Sequence, residues 1–420
     1  MRTGLNFIFI VLISLSFTGV AESQTAYTQS RQEAMQYMQK AEFSRRSGML
    51  TDAYQAYTNA ISVDPTYAEA YMKRALLLQQ MGRYTESMND HNTAIDLNPY
   101  SEIYYDKRAR LKLYQADYQD AISDLTKALE LSPYDEYLLD TRSIALMEDN
   151  QYGKAIDDLN FLLNLNPSDT ISLLKRAIIY TREGSYDLAK ADIDSALALT
   201  PHSELVYDVL GLYYLSTKNP SAAEIAFAKS IDLNPAFPIA YYNLSVAQKI
   251  LGRNEEALRN LNIAIALNHD FPNAYFNRAV THKNFGNDAI ALEDYDKAIA
   301  IKSDFTEALL NRGFTKSMLG HYAESITDYD RAVESSPQDP VVYNVRGNIN
   351  AFFGKYREAL SDYNKAIELN ANFAEAYYNR GITKLLGYQG IDGCDDLEKS
   401  LQMGFEEARE KILYFCSGAK

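Results

Sequence analysis

The sequence has no tryptophan, two cysteines and five histidines, and its 41 lysines and arginines are outnumbered by 56 aspartates and glutamates. Each shortage excludes something. Two thiols cannot build a disulfide scaffold or a four-thiolate zinc site. A net charge of −15 leaves no overall cationic excess with which to displace counterions from a nucleic acid, so no nucleic-acid partner is expected. With 11 prolines, 19 glycines and 47% apolar residues, the chain is neither collagenous nor of disordered composition. After the first two dozen residues no apolar run is long enough to span a bilayer. Catalytic signatures are missing as well. There is no Gly-x-x-x-x-Gly-Lys-Ser/Thr loop, no Gly-x-Ser-x-Gly elbow and no His-Glu-x-x-His pair.

The first segment differs from the rest. Arg2 gives a positive start, Leu5 to Phe17 is almost wholly apolar, and Ala21 and Ser23 are small residues at cleavage spacing before Gln24. This is the three-part pattern of a secretory signal over 1–23; an uncleaved anchor using Gly4 to Ala21 is the competing reading. No cysteine lies near the cleavage point, which argues against a lipoprotein anchor. The mature chain is expected outside the cytosol, periplasmic or at the cell surface, with no membrane span once the signal is cleaved.

What is abundant is tyrosine, 33 residues beside 17 phenylalanines, and it recurs on a fixed period. Pro65, Pro99, Pro133, Pro167, Pro201, Pro235 and Pro337 are spaced by 34 or a multiple of 34. That grid gives eleven units beginning at Ala34, Ala68, Glu102, Glu136, Thr170, Glu204, Pro238, Pro272, Thr306, Pro340 and Ala374. The expected organisation is signal 1–23, lead-in 24–33, repeats 34–407, and 408–420 as the remainder of a capping helix and tail. Each unit carries two helical patterns. An aromatic residue or Leu at position four and a small residue at position eight share one face of the first helix, as in Tyr275 and Ala279. A glycine such as Gly82 or Gly320 then ends that helix. The second helix carries small residues at positions twenty and twenty-seven, as in Ala121 and Ala128, and stops before the proline.

These units resemble the tetratricopeptide repeat family from about Ala34 to the C-terminus, with "YYNRGITKLLG" and "YDKAIAI" in family register and Tyr or Leu in place of the family's tryptophan. The resemblance implies an all-α, right-handed superhelical solenoid of about eleven 34-residue helix-turn-helix repeats. A module this small cannot bury its own apolar face and is stable only when stacked.

Two positions change together. Position seven is Arg74, Arg108, Arg142, Arg176, Arg278, Arg312, Arg346 and Arg380; in the same units position twenty-three is Asp90, Asp124, Asp158, Asp192, Asp294, Asp328, Asp362 and Asp396. The other three units lack both, with Lys40 and Ala56, Leu210 and Ala226, and Leu244 and Asn260. The pattern predicts structural ion pairs inside each repeat, the guanidinium fork on the carboxylate, rather than an anion-binding site. Cys394 and Cys416 flank a turn near Gly404 at about 15 and 18 Å along their helices, which places them for a disulfide in an antiparallel hairpin. Two independent buried thiols are the alternative.

The histidines (His91, His202, His269, His282, His321) occupy unrelated repeat slots and propose no metal or catalytic site. No cofactor is called for, and the unbroken period leaves no inserted loop to cover an active site, so an enzyme is not expected. The family resemblance instead directs attention to the first helices, which line the concave groove. There, position six is Lys73, Lys107 and Lys175 in the N-terminal half, then Asn243, Asn277, Asn311 and Asn379. The amides suggest a ladder for a peptide backbone. Tyr242, Phe276, Leu310 and Tyr378 at position five, and Phe314 among the apolar residues at position nine, suggest an apolar strip for a partner strand or helix. The carboxylate clamp of chaperone adaptors needs Lys at five and Asn at nine, and no unit has that pair. The expected function is a non-enzymatic scaffold or adaptor for a protein or peptide partner in envelope or secretion-complex assembly. A structural spacer docking by its edges or convex face, and a substrate-presenting subunit of an envelope enzyme encoded elsewhere, remain alternatives. Oligomeric state is not legible.

Overall fold

The computed structural model describes residues 28–387 and 393–416. The export signal expected over 1–23 lies outside the described residues, as does the tail 417–420. The lead-in, expected to precede the first repeat, is already helical at residue 28 and continuous with that repeat's first helix.

Among the described residues every regular element is a helix. The chain divides into two compact units, Met1–Pro201 and His202–Lys420. The first holds α1 (28–46), α2 (Leu50–Val63), α3 (Ala68–Gln80), α4 (Tyr84–Leu97), α5 (Glu102–Tyr114), α6 (Tyr118–Leu131), α7 (Glu136–Glu148), α8 (Tyr152–Leu165), α9 (Thr170–Arg182) and α10 (Tyr186–Leu199). The second holds α11 (Glu204–Ser216), α12 (Pro220–Leu233), α13 (Pro238–Ile250), α14 (Asn254–Leu267), α15 (Pro272–Asn284), α16 (Asp288–Ile301), α17 (Thr306–Met318), α18 (Tyr322–Ser335), α19 (Pro340–Phe352) and α20 (Tyr356–Leu369). It ends with α21 (Ala374–Gly387), α22 (Cys394–Gln402) and α23 (Glu407–Phe415). Odd-numbered helices are the first helices of the repeats and even-numbered ones the second, with α23 as an extra helix packed on α22 and α21. Within each unit a helix packs on its hairpin partner and on the first helix of the next repeat.

Why the elements begin and end where they do is local chemistry. Position fifteen, after the first helix, is left-handed in repeats one to ten. Gly48, Gly82, Gly184, Gly252, Gly286, Gly320 and Gly354 have φ between 74° and 83°, where glycine carries no Cβ penalty. The backbone then turns so that the next amide reaches back to the helix, as Arg83 N–H does to Leu78 O at 2.8 Å. Three repeats make the same turn without glycine, at Ala116, Asn150 and Lys218, φ 58° to 59°. The ten second helices from α2 to α20 end in an extended residue, and in seven of them a proline follows it, as Pro99 follows Asn98, where proline disfavours helical geometry in its predecessor.

The close approach inside each hairpin sets the core. The small residues at positions eight, twenty and twenty-seven are sealed: Ala109, Ala121 and Ala128 have no exposed surface. Position eight faces position twenty-four across the hairpin. Gly211 faces Phe227, Gly313 faces Tyr329 and Gly347 faces Tyr363 at close range, while alanine at position eight occurs both with aliphatic residues, as Ala109 with Leu125, and with rings, as Ala41 with Tyr57 and Ala279 with Tyr295. A Cβ on Gly347 would stand 2.6 Å from the ring of Tyr363, which is fully buried and cannot swing away. Alanine gains about 1 kcal/mol over glycine in helix propensity, but overpacking costs about 1–3 kcal/mol. Gly347→Ala is therefore expected to lower stability by up to about 2 kcal/mol. Adding Tyr363→Leu should remove the clash. Urea midpoints of the two variants are the check, and a raised midpoint for the single variant would refute the close-contact account of this hairpin.

Candidate protein-interaction face

The residues expected to form ion pairs meet inside each repeat. In all eight pairs the arginine Nε donates to the aspartate Oδ2 at 2.7–3.1 Å. Nη2 donates to the other oxygen, as from Arg74 to Asp90 Oδ1 at 2.7 Å and likewise in the other seven repeats. The aspartates are buried and the arginines mostly so.

The sequence reading confined each arginine to its own repeat, and here the structure adds a partner. Nη1 reaches back to position twenty-five of the preceding repeat. Arg74 meets Thr58, Arg108 Asn92, Arg142 Thr126, Arg176 Asn160, Arg278 Asn262, Arg312 Asp296, Arg346 Asp330 and Arg380 Asn364. One guanidinium thus ties three helices. In three repeats a lysine joins the same aspartate: Lys112 on Asp124 at 2.8 Å, Lys316 on Asp328 at 3.0 Å and Lys384 on Asp396 at 2.7 Å. The lysine matters electrostatically. Burial would raise the Asp396 carboxyl, but hydrogen bonds from Arg380 and Lys384 more than offset it and hold the group below its ordinary value. At Asp362 the lysine slot holds Asn350, and burial wins, raising the carboxyl despite Arg346. These groups are scaffold.

The position-six residues also bond within the scaffold. Asn243 Nδ2 donates to Asp208 Oδ1 at 2.9 Å, Asn277 to Tyr242 Oη at 2.9 Å and Asn379 to Asn344 Oδ1 at 3.1 Å, each bond joining position six to position five of the repeat before. Asn311 donates to Glu307 O of its own helix at 2.8 Å. Three of the four amides therefore tie neighbouring first helices together, each through one donor. The lysines behave similarly: Lys175 binds Asp140, Lys107 lies 2.7 Å from Asp106, and Lys73 lies 3.8 Å from Glu42.

The position-five residues are half-buried among neighbouring rings. Tyr242 packs on Phe271, Phe276 on Phe305 and Tyr378 on Phe405, with ring centroids 5.0–5.2 Å apart, and Leu310 packs against the same core as Phe305. At position nine Phe314 and Ile144 are exposed, with Lys283 Nζ 4.8 Å from the Phe314 ring centroid.

The apolar surface the structure does expose lies at the margins of the first helices. Position two is a row of exposed Met35, Ile103, Tyr137 and Ile171 in the first unit and Leu205, Ile239 and Val341 in the second. Position thirteen adds Ile250, Met318, Phe352 and Leu386 in the second unit, Phe352 being 78% exposed. Phe352 and Leu386 flank a cleft of about 330 Å³ between α19 and α21, floored by Ile382 and Tyr363. The sequence signal for these rows was present, since position two is large and apolar in most repeats and position thirteen in most of those from Pro238 onward. What periodicity alone could not tell is that these apolar residues face outward.

At the C-terminal end Cys394 and Cys416 are joined by a disulfide, Cα–Cα 5.9 Å, clamping α23 to α22. It closes a loop of 22 residues, worth on the order of 3 kcal/mol. His91 is fully buried, its Nε2 2.9 Å from Gln79 Nε2, so it fills a core slot and opens to no site. Among the described residues no group of His, Cys, Asp or Glu is placed to hold a metal, and no helix is long and apolar enough to cross a membrane.

Comparison with known proteins is consistent with this architecture. A tetratricopeptide repeat model matches residues 68–101, 206–237, 272–305 and 306–339, and a second model for the repeat matches 247–286 and 354–386. Three of these matches begin on the 34-residue grid, at Ala68, Pro272 and Thr306. No curated protein matches the chain. Among solved structures, a tetratricopeptide repeat protein from Parabacteroides merdae is 20% identical with a TM-score of 0.50, covering 59% of this chain and 98% of its own. The Cut9–Hcn1 hetero-tetramer of the APC/C is 12% identical with a TM-score of 0.50, covering 91% and 96%. Both likenesses are of fold. With the repeat models in register, the paired helices and the all-helical neighbours together, the chain belongs to the tetratricopeptide repeat family, whose fold serves as a protein–protein interaction scaffold.

Proposed function

We propose that the protein is an exported, non-enzymatic adaptor that holds an extended peptide or a partner helix against the first helices of its repeats, in envelope or secretion-complex assembly. One observation carries the reading. The first helices leave large apolar side chains exposed in rows at positions two and thirteen, while the polar groups between those rows are bonded within the scaffold. Exposed apolar side chains gathered in this way mark interaction sites. A bound strand or helix buries such rows through alternate or i, i+3, i+4 side chains. Export rests on the signal pattern of 1–23, and a mature chain starting at Gln24 is the expected result of N-terminal sequencing.

The test is a cross-linking capture of the mature protein from its native envelope, wild type beside Phe314→Asp/Phe352→Asp/Leu386→Asp. Loss of the captured partner from a variant that melts like wild type supports the face; an undiminished capture sinks it. A second reading, docking by an edge, is favoured by the cap helix α23, which leaves Leu413 and Tyr414 exposed at the end of the second unit. Leu413→Asp/Tyr414→Asp would abolish capture under that reading and leave it intact under the first.

A further inference from the structure

We infer that the exposed face of α5, with the adjoining edge of α7, recognises an acidic segment that also carries bulky apolar side chains; this rests on the interaction-face reading and names the chemistry of one partner. Ile103, Lys107, Arg110 and Tyr114 are spaced i, i+4, i+7, i+11 and share one side of α5. Ile103 and Tyr114 are exposed, Tyr114 to 70%.

The charge between them is unbalanced by construction. Lys107 Nζ lies 2.7 Å from Asp106 Oδ2, and Arg110 Nε lies 3.1 Å from Asp106 Oδ1. Asp106 is 4% exposed, so two accessible cations stand on one buried carboxylate. The helix's other cations face elsewhere: Arg108 and Lys112 are held by Asp124. A surplus positive charge on an otherwise acidic chain attracts a carboxylate from outside.

The site is also pre-organised. The Arg110 guanidinium carbon sits 4.5 Å from the centroid of the Tyr137 ring, which is itself exposed at position two of the next repeat. Tyr114 is held by Tyr84, hydroxyl to hydroxyl at 3.1 Å with ring centroids 5.2 Å apart. Side chains fixed before binding lose little freedom when a partner arrives. A partner carboxylate placed between Lys107 and Arg110 would have Ile103, Tyr137 and Tyr114 around it for neighbouring apolar side chains.

The second unit lacks this chemistry. Its corresponding pairs at positions six and nine are Val209 and Leu212, Asn243 and Val246, Asn277 and Val280, Asn311 and Phe314, Val345 and Asn348, and Asn379 and Ile382, none of them a cation. Acid recognition is accordingly a property of the first unit, and apolar contact the main resource of the second.

The experiment titrates the full mature protein with a fluorescein-labelled short peptide alternating Glu and Leu, beside Gln–Leu and Lys–Leu counterparts. The Glu–Leu peptide should bind at least about tenfold more tightly than either counterpart, and raising the salt should weaken it. Lys107→Gln/Arg110→Gln should erase that preference without changing the thermal melt, whereas Phe352→Asp should leave it unaltered. Equal binding of the Glu and Gln peptides, no binding of the Glu peptide, or an unchanged preference in the double variant overturns the inference. Because envelope capture is read separately through the Phe314, Phe352 and Leu386 variant, a failure here leaves the wider reading standing, and the reverse also holds.

Discussion

Replacing Asp328 with alanine is expected to destabilise the second unit by about 3–5 kcal/mol. The carboxylate is 2% exposed and accepts from both nitrogens of the Arg312 fork and from Lys316. Its loss leaves two cations, both largely covered, with only the exposed Asp296 and the distant Glu324 nearby. The figure should fall toward the lower end, because Asp296 already holds the third guanidinium nitrogen and solvent reaches that side. The protein itself supplies the control. Repeat six carries Leu210 and Ala226 at these two slots and folds without the pair. Arg312→Leu/Asp328→Ala should accordingly recover part of the stability that the single change loses, since only Lys316 is then left without its carboxylate and it keeps Glu324 at 3.9 Å. Urea denaturation of the single and double variants decides it. A double variant no more stable than the single one would mean that the pair contributes attraction beyond neutralising its own burial.

The second large effect is on acid stability, and the two units should respond in opposite directions. Burial, reinforced by the nearby charges of Arg108 and Lys107 and only partly opposed by Asp124, lowers His91 to about 4. Its folded pKa lies below the unfolded value, so the unfolded chain binds the extra proton between the two. Stability from a neutral His91 is complete above about pH 6.5 and is lost as pH falls toward 4, on the order of 3 kcal/mol in all. Asp208 runs the other way. Burial raises it to about 6, with a hydrogen bond from Asn243 pulling only partly back. The folded state holds the proton more tightly, so stability falls as pH rises from about 4 to 6 and stays lower above.

His91→Leu, the residue of repeats three and four at that slot, should flatten the acid limb of the first unit. Asp208→Asn should stabilise the second unit at about pH 7 by up to about 3 kcal/mol and do nothing once the aspartate is protonated. Denaturant titrations at several pH values, followed by probes in each unit, read both. An Asp208→Asn gain that is independent of pH would show that the carboxylate's charge is not its cause.

Much of this was legible before any coordinates. The 34-residue grid placed the hairpins because prolines, glycines and small residues fall on the same beat in repeat after repeat. The ion pairs could be read because arginine and aspartate appear and vanish together. The third contact of each arginine escaped notice for a physical reason. Position twenty-five is Thr58, Asn92, Asp296 or Asp330, residues alike only in offering an oxygen. The role of the asparagines was hidden in the same way, because their partners Asp208, Tyr242 and Asn344 share no residue type. Exposure was the hardest to read. Ile103, Tyr137 and Phe352 have the same apolar character as core residues, and only the packing of neighbouring helices separates the two groups. Lys107 and Arg110 were visible individually, but their shared dependence on one buried aspartate was not.

The disulfide between Cys394 and Cys416 has a consequence for how the second unit comes apart. Stacked modules normally fray from a free end, where the last one has a neighbour on one side only. Here that end is covalently latched, and the four repeats before it are each riveted by a three-way guanidinium. Only the N-terminal side of the unit, between repeats six and seven, does without a rivet, and there Asn243–Asp208 and Arg253–Glu224 join the repeats instead. Backbone amides of α21 and α22 should therefore exchange with solvent as slowly as those of α15 to α18, and faster once the disulfide is reduced, so that the tip of the unit is held by its latch rather than by a further neighbour.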